Sequence, residues 1–126
     1  MYSAVVLDEK SHAKLVKWAT EKFPIIKSKE WEVIAHHMTI KMGELPSYLQ
    51  DDLNTTQSLE VTGYAFDNKV IAVRVSGYFT TNKNPHITIA VNRGNGGKPV
   101  MSNNLTNWQP IGGSSIPLKG QVKEVT

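Results

Sequence analysis

Ala35-His36-His37-Met38-Thr39-Ile40 reads as strand, and the pattern of its last four residues, His-x-Thr-Ile, recurs 49 residues on as His86-Ile87-Thr88-Ile89. Side chains alternate across a strand, so His37 and Thr39 share one face, as do His86 and Thr88. Met38 and Ile40, like Ile87 and Ile89, fill the opposite faces and tie each strand to apolar packing. Each strand thereby offers an imidazole and a hydroxyl side by side, roughly 6–7 Å apart at the backbone. For this composition the expected count of a single His-x-Thr-Ile is about 0.02, so a second copy is not chance.

Around that pair the chain resolves into short elements. Residues 2–7, rich in Val and bounded by Asp8, read as a buried strand. Ser11 is placed as the N-cap of a helix in which Leu15, Trp18, Ala19 and Phe23 recur at helical spacing until Pro24 stops the pattern. Residues 33–42 read as one strand ended by Gly43, and 46–53 as a short helical turn. Residues 59–66 and 70–75 form a hairpin about Asp67, Asn68 and Lys69. Turn chemistry at 82–85 precedes a strand over 86–91. A glycine-rich loop at 93–98, a second short helix at 99–105 and two weak strands, 111–118 and 121–125, complete the order. The two strands are broken by Gly112, Gly113 and Gly120. No linker divides residues 1–126, and the pattern predicts one α+β domain.

Composition narrows the chemistry. Of 126 residues, 40% are apolar and 20% charged, a globular balance. The chain has no cysteine, which excludes a disulfide framework, a thiolate nucleophile and a Cys-ligated zinc. Fourteen basic against eleven acidic residues give a net charge of +3. So mild an excess suits a small anionic ligand better than duplex DNA, which needs a dense basic stripe. No apolar run is long enough to span a bilayer. The start of the chain lacks a basic segment followed by an apolar core, so a cytoplasmic, membrane-free protein is expected.

Hydrolysis of a phosphodiester needs a base to deprotonate water and an acid to protonate the departing oxygen. Two imidazoles can share that work near neutral pH, with one neutral and its partner protonated. Threonine hydroxyls can hydrogen-bond the non-bridging oxygens, where charge builds in the transition state. No metal or other cofactor is called for. A divalent site from His36, His37 and His86 is disfavoured, because strand alternation sends His36 and His37 to opposite faces.

The paired motifs resemble those of the 2H phosphoesterase superfamily, which includes LigT-like RNA phosphoesterases and 2′,3′-cyclic nucleotide phosphodiesterases. Ala35 to Ile40, Pro85-His86-Ile87-Thr88 and Gly97-Lys98-Pro99 look like the small 2H domains of RNA-repair and tRNA-ligase-type proteins. The resemblance implies a two-lobed α+β domain, with antiparallel sheets around a central cleft and helices outside. It also implies His37 and His86 as the acid/base pair and Thr39 and Thr88 as phosphate ligands. We assign His86 as base toward water and His37 as acid toward the leaving ribose oxygen. The implied substrate is a 2′,3′-cyclic phosphate on an RNA end or small nucleotide, acted on by a monomer. Cyclic oligonucleotide messengers and 2′,5′-linked oligoadenylates are the alternative substrates, and a non-catalytic nucleotide-binding module is the alternative class.

Further candidates surround the motifs. Lys41 shares the strand face of His37 and Thr39 and adds positive charge. Tyr2, Tyr78, Phe79 and Trp108 are candidate base-stacking platforms. The glycines of residues 93–98 allow backbone N–H groups to approach a phosphate, with Lys98 as cation. This loop lacks the spacing of a P-loop. His36 is read as structural or surface-exposed, His12 as solvated. Ser102, Asn103 and Asn104 either pin the following turn or touch a ribose.

Overall fold

A computed structural model describes residues Met1–Thr126. The chain opens with β1 (Tyr2–Leu7) and runs directly into α1 (Glu9–Lys22). Asp8, rather than Ser11, caps that helix. Its side chain accepts the Ser11 backbone N–H at 2.7 Å, and this bond holds its carboxyl below the usual carboxylate range. The Ser11 hydroxyl is instead buried, accepting the Lys119 N–H at 2.7 Å, so it is not free to cap. Leu15 and Ala19 bury one face of α1. Pro24, which has no N–H to continue the ladder, turns the chain into a 3₁₀ segment, Pro24–Lys27.

The remaining strands are β2 (Trp31–Val33), β3 (His37–Met42), β4 (Thr56–Phe66), β5 (Val70–Ser76), β6 (His86–Asn92), β7 (Gln109–Pro110) and β8 (Ile116–Val125). In the order β6, β3, β1, β8, β4, β5 each strand pairs with the next, and β5 pairs back onto β6. The result is a closed, antiparallel six-stranded barrel. The α+β class and the antiparallel pairing are as expected, but the strands join in one ring instead of two separate sheets. Closure leaves no open edge among these six strands. β2 pairs with the far end of β6, and β7 with β4.

The expected strand over 33–42 is two strands. Ala35 adopts φ +45°, a left-handed conformation that breaks the ladder between β2 and β3. The two weak strands expected at the end are one, β8, which passes through Gly120. A Cβ there would lie 2.6 Å from the Val6 carbonyl oxygen, so glycine permits the close approach of β1 and β8. Gly112 and Gly113 fall in the loop before it. The short helices near 46–53 and 99–105 are 3₁₀ segments, Ser47–Asp52 and Pro99–Asn104.

Leu15, Met38, Ile40, Leu59, Ile87 and Ile89 are fully buried and belong to the main core. A smaller cluster around Val70, Val91 and Leu105 supports Trp108. No helix is long and apolar enough to cross a membrane.

Candidate active site

β3 and β6 touch at a single bridge, Met38 opposite Ile87. Because those two side chains point into the core, the residues on either side of each point the other way. His37, Thr39, His86 and Thr88 therefore line one groove of about 270 Å³. Ile34, Met42, Pro99 and Val100 give it apolar walls, and Asn82 and Asn103 add two amides. All four side chains singled out by the repeat meet in this groove.

His86 is only 8% exposed. Its Nδ1 lies 2.6 Å from the Asn84 carbonyl oxygen. A carbonyl can only accept, so Nδ1 carries the proton and the neutral ring keeps a lone pair on Nε2. Burial pushes its pKa below the ordinary 6.5, partly opposed by that hydrogen bond. His37 is driven further, to about 4, by burial and then by the neighbouring imidazoles of His36 and His86. Thr88 Oγ1 lies 2.8 Å from the Oγ of Ser102, itself buried. Ser102 thus pins the threonine, a role outside both alternatives left by the sequence, while Asn103 faces the groove and Asn104 is exposed.

Tyr2 and Trp108 stand behind the histidines and are not among the lining residues. The Tyr2 ring centroid is 4.9 Å from that of His37, and the Trp108 centroid 6.3 Å from that of His86. Arg74 lies over the Trp108 ring at 5.1 Å and donates to the Asn84 side chain at 2.7 Å. It therefore braces both neighbours of His86. Tyr78 is tied through its hydroxyl to Asp52 at 2.7 Å, and Phe79 packs edge-on against exposed Tyr48.

Several expectations are corrected. Lys41 does not line the groove; Met42 does. A bulge opposite Ser3 and Ala4 puts one extra residue into β3, so the alternation slips after Thr39. Lys98 also lies outside the lining, and the glycine-rich loop is no phosphate cradle. The N–H groups of Arg93 and Gly94 bond the Glu30 carbonyl, that of Gly96 bonds Arg93, and that of Gly97 bonds Asn92. Arg93 is itself paired with Glu32 at 2.6 Å. His12 is not simply solvated, since its Nδ1–H donates to the Ala35 carbonyl at 2.8 Å. His36 lies before β3, where strand alternation does not apply, and its Nδ1 sits 2.8 Å from that of His37. Nowhere do three His, Cys, Asp or Glu side chains converge as a metal centre requires.

Residues 5–123 match the family model described as the fungal tRNA ligase phosphodiesterase domain. The chain belongs to that family. The fungal tRNA ligase phosphodiesterase domain is of 2H phosphoesterase type, as the paired motifs led us to expect, and membership implies a hydrolase of cyclic phosphodiesters. No curated protein matches the chain. The match runs from β1 through β8, so it takes in both motif strands and the elements that frame them.

The buried histidines make stability depend on pH. Both folded pKa values lie below the unfolded value of about 6.5, so between those limits the unfolded chain binds more protons. Their contribution is complete above about pH 6.5 and is lost as pH falls toward about 4 for His37. Urea unfolding at pH 7 and pH 4.5 is expected to give a lower midpoint in acid, with a smaller drop for His37→Gln. An equal drop in both proteins contradicts this assignment.

Proposed function

We propose that this domain hydrolyses a 2′,3′-cyclic phosphate, on an RNA end or a small nucleotide, by metal-independent acid/base catalysis. The observation that carries this reading is the convergence of His37, Thr39, His86 and Thr88 on one groove, with the His86 Nε2 lone pair fixed by the Asn84 carbonyl. His86 takes a proton from the attacking water, and the oxygen of that water forms a bond to phosphorus. His37 gives a proton to the ribose oxygen as its bond to phosphorus breaks. Thr39 and Thr88 donate to the non-bridging oxygens. With Ser102 donating to its oxygen, Thr88 turns its own proton from the Pro99 carbonyl, 3.5 Å away, to the phosphate. By the family resemblance, the product is the 2′-phosphate.

Lys41 and Lys98 are neighbours in sequence of the lining residues Met42 and Pro99 and supply positive charge from outside the groove. Tyr2 and Trp108 hold the histidine rings from behind and so position them for the reaction.

The test is a chromatographic assay with chelator present. It compares 2′,3′-cyclic mononucleotides, an RNA ending in a cyclic phosphate, a cyclic dinucleotide and a 2′,5′-linked oligoadenylate. Turnover of the first two supports the reading, and preference for either of the others moves it to an oligonucleotide messenger. Binding without product from pH 5 to 9 replaces it with a nucleotide-binding module. Because the base must be neutral, kcat/KM is expected to fall as pH drops through the lowered pKa of His86, with the midpoint of that limb below 6.5. A midpoint above 6.5 removes His86 from the role of base.

A further inference from the structure

We infer that His36 is a proton relay, linking solvent to His37 through the contact between their two Nδ1 atoms. The inference rests on the phosphodiesterase reading above, and it gives a task to His36, which the sequence reads as structural or surface-exposed. Three observations carry it.

The first is the contact itself. At 2.8 Å the two Nδ1 atoms share a single proton, so when one ring donates the other accepts. The protonation of His37 at Nδ1 is thus set by His36, and in a neutral imidazole this fixes the opposite state at Nε2. The second is the backbone that brings the rings together. Ala35 holds its left-handed turn with its N–H bonded to the Thr88 carbonyl at 3.0 Å and its own carbonyl accepting from His12 at 2.8 Å. That turn joins α1, β3 and β6 at one point and places His36 beside His37 rather than behind it. The third is location. His37 lines the catalytic groove, while exposed His36 lines a separate open recess with Leu7, Glu9 and His12. The pair spans the two spaces.

The relay moves one proton in three transfers. Water in the recess gives a proton to Nε2 of His36, and the hydroxide left behind is neutralised by the proton that His86 took from the attacking water and returns to solvent. The Nδ1 proton of His36 passes to Nδ1 of His37, and the Nε2 proton of His37 goes to the leaving ribose oxygen. Each ring gains one proton and loses one, so both change tautomer and neither ends charged. This accounts for an acid whose imidazolium is scarce at neutral pH, since burial holds His37 at about 4. The titratable groups facing the pair are Glu9 and His12 from α1, Tyr2 from β1 and His86 from β6.

The relay is tested on a 2′,3′-cyclic mononucleotide with wild type, His36→Ala and His36→Gln. His36 is exposed, so both variants are expected to fold. Without the relay His37 must act as an imidazolium. From about pH 6.5 to about pH 8 the wild-type kcat/KM is expected to stay level, and that of each variant to fall about tenfold per pH unit. Glutamine keeps a hydrogen-bonding group but does not pass protons on. Added imidazole is expected to restore His36→Ala and not His36→Gln. Variants with the level wild-type profile, a wild type that falls over the same range, or a loss that imidazole does not rescue each overturn the relay. Turnover surviving in His37→Ala instead overturns the phosphodiesterase reading. Nitrogen NMR on the folded protein gives an arm independent of turnover. A scalar coupling between the Nδ1 nuclei of His36 and His37, carried across the hydrogen bond, is expected, and its absence refutes the shared proton.

Discussion

His37→Ala and His86→Ala are each expected to lower turnover of a 2′,3′-cyclic mononucleotide by about 10²- to 10⁴-fold, the range of a single acid or base. The two changes remove opposite halves of one step. Loss of His86 leaves no lone pair at the site fixed by Asn84, and water must attack without a base. Loss of His37 leaves the departing oxygen without a proton and the Nδ1 of His36 without its partner. Because the two act together, the double variant should be little slower than the worse single one. Neither change should unfold the protein. His37 lies at the groove, and His86 gives up one hydrogen bond, worth about 1 kcal/mol. Urea midpoints close to wild type, measured beside the rates, separate lost chemistry from lost structure. Full activity in either variant sinks the assignment.

The second large effect is expected away from the groove. Met38→Ala and Ile87→Ala should each destabilise the fold by about 2–5 kcal/mol, as large-to-small changes in a core do. Both side chains are fully buried, and they form the only bridge between the two motif strands. Proteins of this kind have about 5–15 kcal/mol of stability in all, so either change is a large part of it. Val100→Ala, on the exposed groove wall, is expected to stay within about 0.5 kcal/mol. Denaturant unfolding with an unchanged slope checks the comparison. If Met38→Ala matches Val100→Ala, the bridge is not what holds the motif strands together.

The repeat of His-x-Thr-Ile made the groove legible in the sequence, because period-two alternation is a local rule that both strands obey. The same rule failed at His36 and at Lys41, for different reasons. His36 lies beyond the strand end, after a left-handed alanine that nothing in the composition marks. Lys41 follows a bulge created by pairing with β1, a partner remote in sequence. Barrel closure was hidden for a related reason, as it depends on the last strand, β8, pairing with both β1 and β4, partners remote in sequence. Ser11 fits the residue preference of an N-cap, yet its hydroxyl is taken by Lys119, 108 residues away. Glycine at 120 suggested a break, whereas its role is to let two backbones approach. In each case a tertiary contact overrode a sound local preference.

The ten residues that line the groove include no lysine or arginine. A cyclic diester enters with one negative charge, and the monoester made from it carries about 1.5 to 2 at pH 7. Hydroxyls and imidazoles can satisfy the first charge, but no cation lines the groove to meet the second, since Lys41 and Lys98 lie outside it, and keeping that charge out of water is costly. On the proposed reaction the product is therefore expected to be held less tightly than the substrate it came from. On the same proposed reaction, weak inhibition by accumulated monophosphate is expected, with a rate governed by the bond-breaking step rather than by escape of the spent nucleotide.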